Sequence, residues 1–276
     1  MQRRVLLACV LAVLGSGSLL PETVAVRHAE GLVRGFLVLR TTEGGSEGEG
    51  PGSGAVAGVV IATGDLIQTS RGDRVTSRLV FHFRDGSIQD ETAVFTQSGR
   101  FRLVRDTMVQ KGPSFPHPMS VSIAVGEGRV VVRFRGKDGK DESLDEKMDL
   151  PDDLANGLAL TLLKNISPDG PPTTVSMLVA TPKPRLVKLV ITPSGQDSFS
   201  AAGATHRATR FTAKIEIGGI AGVVAKLLGK QPHDTQVWIL GGEAPGFVKS
   251  EGPFFAEGPV WRIELAAPDY SRPSVR

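Results

Sequence analysis

One cysteine, one tyrosine and two tryptophans occur in the 276 residues. A single thiol excludes a disulfide scaffold and a thiolate metal cluster. So few indole and phenol rings leave little material for a sugar-stacking platform. Neither sign of charge dominates, since 32 Lys and Arg stand against 29 Asp and Glu for a net charge of +3. The concentrated basic stripe of a nucleic-acid binder is therefore missing. After the N-terminal run, no stretch of about eighteen apolar residues recurs, which excludes a multi-span helical membrane protein. What remains is 40% hydrophobic and 22% charged, with 33 Gly and 18 Pro. Those are values of a folded domain rich in turns.

Arg3 and Arg4 precede the apolar run 5–14, and small residues fill 15–18. A positive start, a short apolar helix and a small-residue stretch make the layout of a secretory signal. Residues 1–25 are read as that signal, with cleavage near Ser18 or after Ala25. Cys9 in Leu6-Leu7-Ala8-Cys9 has the look of a lipoprotein box. The apolar run continues past it, however, where a lipidated cysteine should end the run. Residues 26–276 are then expected to form a single periplasmic or secreted β-rich domain with no transmembrane span.

From Leu32 onward the dominant pattern has period two. In residues 209–217, Phe211, Ala213, Ile215 and Ile217 alternate with Arg210, Thr212, Lys214 and Glu216. That is a strand with one wet face. Similar runs span 74–83, 87–95, 119–125, 129–135, 174–180, 186–191, 235–240 and 260–265. Hairpin chemistry is expected at 63–64, 72–73, 85–86, 98–99, 127–128, 138–139 and 194–195, where Gly accepts the positive φ of tight turns. Turn signals about 8 to 14 residues apart predict an antiparallel meander, not βαβ units.

Two helices interrupt the strands. Pro151-Asp152-Asp153 suits a helix start, and Leu154, Leu158 and Leu162 then recur every four residues up to Lys164. The second helix covers 220–228, bracketed by Gly218-Gly219 and Gly229. Each has an apolar side that needs cover, and the concave face of a curved sheet would supply it. Residues 42–54 read as a Gly-rich loop and 268–276 as a loose tail.

Motifs for chemistry are sparse. The Gly-rich stretch is followed by a strand pattern and lacks the Gly-Lys-Ser/Thr of a phosphate loop. His28, His82, His117, His206 and His233 show no metal-ligand spacing. Eight acids between Asp138 and Asp153 lack the calcium-loop spacing and alternate with Lys137, Lys140 and Lys147. Ser-x-x-Lys is absent after the signal, and the one Gly-x-Ser-x-Gly match, Gly44 to Gly48, lies inside the Gly-rich loop and not at a strand-to-helix turn pattern. Arg71-Gly72-Asp73 falls where a hairpin turn is expected. Asn165-Ile166-Ser167 is a glycosylation sequon followed by Pro168. No cofactor is implied.

Several blocks carry a resemblance. They are Asp149-Leu150-Pro151-Asp152-Asp153-Leu154-Ala155-Asn156-Gly157 with Leu163-Lys164-Asn165, the glycine-bracketed stretch 218–232, Val237-Trp238-Ile239, residues 242–253 and residues 258–265. Together they are similar to a group of uncharacterised bacterial exported proteins, related in architecture to the LolA/LolB-like half-barrel. The resemblance implies a curved sheet cupping short helices and brings no catalytic residues.

The expected fold is mainly β, a curved antiparallel sheet or incomplete β-barrel cupping one or two short helices. The expected function is non-enzymatic binding of an apolar molecule, a lipid or acyl chain, in the cell envelope. The candidate lining residues are Phe81, Phe83, Phe95, Phe211, Ile215, Ile217, Ile220, Val224 and Leu227. The alternatives are an envelope scaffold binding a protein partner through a solid core, and a hydrolase with a non-local active site.

Overall fold

The computed structural model describes residues 23–42, 58–136, 138–180, 183–201, 204–217 and 233–266. The signal through residue 22, most of the Gly-rich loop, the helix expected at 220–228 and the tail lie outside them.

Fourteen strands form one antiparallel sheet, as the alternation requires. They are β1 (Val33–Thr41), β2 (Val60–Arg71), β3 (Arg74–Phe83), β4 (Ile88–Thr96), β5 (Arg102–Lys111), β6 (Met119–Ala124) and β7 (Arg129–Arg135). The second half holds β8 (Asp141–Lys147), β9 (Thr173–Val179), β10 (Arg185–Ala201), β11 (Ala204–Glu216), β12 (Thr235–Leu240), β13 (Gly246–Gly252) and β14 (Trp261–Leu265). Every strand pairs with its neighbours in sequence except at one place. β1 pairs with β14, while β8 and β9 are the two edges. The sheet is thus a meander joined through its first and last strands and left open in the middle of the chain.

The segment that spans this opening passes through the core. It carries the helix α1 (Ala159–Leu163), and Leu154, Leu158, Leu162 and Leu163 are each at most 3% exposed. They pack with Phe95 of β4, Val132 of β7, Val175 of β9 and Phe211 of β11. Strands so far apart in the sheet meet in one cluster only because the sheet curls around this segment. The expected helix is shorter than 151–164 because Gly157 sits at φ +65, outside helical geometry. Upstream of it, the Ala155 amide donates to the Ser176 carbonyl and Leu154 bridges Ser176 in parallel.

A second cluster fills the other end of the curl. Phe81, Phe83, Leu37 and Leu39 meet Trp261, Phe115, Phe254 and Phe255 from strand ends and loops. The rings pack edge-on or tilted, with centroids 5.1–6.3 Å apart, as ring quadrupoles favour.

Two expected turns are strand interior instead. Thr63-Gly64 lies within β2, where Gly64 leaves room for the Phe81 ring. Ser194-Gly195 is a bulge in β10, with Gly195 at φ +126. β5 and β13 were hidden from the alternation reading. In β5, Asp106 and Gln110 take inward, buried positions, so polar residues fall where the pattern expects apolar ones.

Candidate functional site: a seam on the inner face

The register lays inward residues out in rows across the strands. One row runs Gly35, Leu66, Leu79, Glu91, Met108 and Val121 from β1 to β6. The row on its aromatic side contains Gly64, Phe81, Gln89 and Gln110. The row on its helix side contains Gln68, Ser77, Ala93, Asp106 and Ile123.

The middle row is a seam between the two clusters. Leu66 and Leu79 lean on the aromatic cluster and Met108 on the helix cluster. Each is half-buried, although it faces inward. Leu265 of β14 shares this face, with its Cδ2 3.7 Å from where a Gly35 Cβ would lie, and it is 50% exposed. Apolar inner surface is therefore left uncovered along the seam.

The unusual feature is a pair of carboxyl groups, Glu91 within the row between Leu79 and Met108, and Asp106 in the row on its helix side. Glu91 is half-buried and Asp106 only 2% exposed. Burial raises the pKa of both well above the ordinary carboxylate range, and the charge of Glu91 raises Asp106 further. The two titrate as a pair, holding a proton at neutral pH. The cross-strand neighbours of Glu91 are Leu79 and Met108, those of Asp106 are Ala93 and Ile123, and a Cβ on Gly157 would lie 3.0 Å from Asp106 Oδ1. Asp106 Oδ1 is buried with no hydrogen-bond partner. Such a group costs stability unless something offsets it.

The two sides of the seam are fixed by polar clamps. Gln110 Nε2 donates to Gln89 Oε1 at 3.1 Å and to the Phe254 carbonyl at 3.0 Å, tying the aromatic loop to β5. On the helix side, residues 24–31 strap the sheet to the helix. Asn165 Oδ1 accepts from the Arg27 and His28 amides at 2.8 and 2.7 Å. Glu30 pairs with Lys164, and its Oε2 accepts from Gln68 Nε2 at 2.8 Å.

The expected lining residues do not come together on this seam. Phe95, Phe211 and Ile215 belong to the helix cluster, Phe81 and Phe83 to the aromatic one. Ile217 is half-buried, and Ile220, Val224 and Leu227 lie outside the described residues. Glu91 was legible as an acid in phase with Ala93 and Phe95. Asp106 was not, because β5 itself went unread.

Features that would serve hydrolysis are scattered. His82 is exposed and near Asp90, whose carboxylate is bound by Arg78 at 2.6 Å. His206 stacks on Phe199 at 5.5 Å. At the β9 edge a cleft of about 400 Å³ is lined by Asp149, Ser176, Lys188 and Glu216. There Lys188 Nζ donates to Ser176 Oγ at 3.2 Å. Among the described residues no group of three or more His, Cys, Asp or Glu could hold a metal ion.

No family model matches the chain, and no curated protein matches it significantly. Among solved structures, it is similar to a β-barrel-like protein of the domain of unknown function DUF1849 from Brucella abortus. The two share 10% identity, with 86% of this chain and 97% of that chain covered and a TM-score of 0.47. The fold assignment rests on the strand pairing described above.

Proposed function

We propose that this is an exported, non-catalytic binding protein whose inner seam takes an apolar molecule such as an acyl chain. The observation that carries the reading is the row Gly35, Leu66 and Leu79, apolar and inward yet incompletely covered between two filled clusters. Covering such surface is worth about 0.8 kcal/mol per methylene of ligand. Export rests on the signal-like layout of residues 1–25.

Gly35 provides the test. A Cβ there makes ordinary contacts with Leu66 and Leu265, so a side chain fits without strain. Gly35→Leu extends that side chain over the seam while leaving the strand intact. The wild-type chain should bind the uncharged fluorophore N-phenyl-1-naphthylamine, and Gly35→Leu should weaken binding at least about tenfold at unchanged stability. Equal binding by both proteins would place the apolar site elsewhere.

A second reading has its own observation. Phe36 and Ile67 are exposed on the outer face of β1 and β2, with Leu32 nearby. An exposed apolar group of this kind suits a protein partner in the envelope.

A further inference from the structure

We infer that the molecule held on the seam carries a positively charged, hydrogen-bond-donating head group, so that the ligand class is a cationic amphiphile and not a fatty acid. The inference rests on the apolar seam being a binding site and names what occupies its polar end.

Glu91 follows Leu66 and Leu79 in the same row, ahead of Met108, so an acyl chain lying along Leu66 and Leu79 reaches its carboxyl group. Asp106 is one row further in, on the adjacent strand. The residues facing the pair from β3, β6 and the central segment are Leu79, Ile123 and Gly157. Among the described residues, Glu91 and Asp106 therefore face no titratable group except each other. Arginine and lysine are plentiful on the outer face, as in the Arg78–Asp90 and Arg129–Asp145 pairs. None is brought to this pair.

Acids kept beside apolar surface without a cation repel a fatty-acid carboxylate and attract an ammonium group. The buried, unpartnered Asp106 Oδ1 is an acceptor that Glu91 alone does not satisfy. Binding a cation favours the ionised pair and expels its shared proton, so affinity for the amine rises with pH.

The test compares dodecylamine, dodecanol and dodecanoate, each below its micelle concentration, by isothermal titration calorimetry on the whole chain. Dodecylamine should bind about tenfold tighter than dodecanol near pH 8, with proton release visible as a buffer-dependent enthalpy. Dodecanoate should bind more weakly than dodecanol. Glu91→Gln and Asp106→Asn keep side-chain shape and should abolish the preference for the amine over dodecanol. Near-UV circular dichroism identifies any variant that has not folded, and the wild-type ranking alone decides the question in that case. Dodecanol binding with no preference for the amine overturns this inference and leaves the apolar seam standing. Failure of all three ligands overturns the seam itself.

Discussion

A Cβ placed on Gly64 would lie 2.5 Å from the Phe81 ring, nearer than any real contact allows. The residue that reads as a turn former is instead a notch cut for an aromatic ring. Gly64→Ala should destabilise the protein by about 1–3 kcal/mol, seen as a lower urea midpoint with an unchanged denaturant slope. Asp106 has the opposite signature. Its pKa is raised by burial and by Glu91, so the native state retains a proton that the unfolded chain has already released. Stability contributed by this group is fully present below about pH 4 and is lost progressively as pH rises from there to about 8. Asp106→Asn should flatten that slope and gain on the order of 1–2 kcal/mol above about pH 8, measured by urea unfolding at several pH values. An acid in phase with apolar neighbours was visible in the sequence at Glu91. The pairing with Asp106 depends on strand register, which a single sequence does not record.

At the scale of elements, α1 is too short to be stable alone. It exists because the curled sheet covers its leucines on several sides. Leu158→Ala removes a side chain only 1% exposed and should cost about 2–5 kcal/mol, detectable by thermal or urea unfolding. The leucine spacing disclosed a buried helical face but placed its start too early. What delays the start of the helix is the left-handed Gly157 together with the bonds of Ala155 and Asn156 to β9. The strap over 24–31 was invisible to alternation, since beyond one antiparallel bridge between Ala25 and Arg100 its bonds go to the side chains of Asn165, Gln97 and Gln68. Asn165→Ala leaves the Arg27 and His28 amides without their acceptor. Faster hydrogen exchange at those two amides and a loss of about 1–3 kcal/mol should follow.

At the scale of the molecule, the large apolar clusters of the described residues lie on the inner face, and ion pairs such as Arg78–Asp90 and Arg129–Asp145 lie on the outer one. Among the described residues, no helix is long and apolar enough to cross a membrane. The open edges are protected differently. β8 carries Asp141, Glu142, Asp145 and Glu146 and repels further strands. β9 is capped by Leu154 and by the Asn156 side chain, which bonds both the amide and the carbonyl of Leu178. Strand content and antiparallel order followed directly from period-two alternation and Gly-containing turns. The opening between β8 and β9 did not, because pairing of β1 with β14 joins opposite ends of the sequence. The central claim is that an apolar molecule lies on the inner seam, and native mass spectrometry of the protein purified from a bacterial periplasm tests it most directly. The account predicts a stoichiometric added mass that organic extraction releases as an amphiphile, and that Gly35→Leu does not retain. A bare protein mass, unchanged when dodecylamine or dodecanol is supplied, would contradict it.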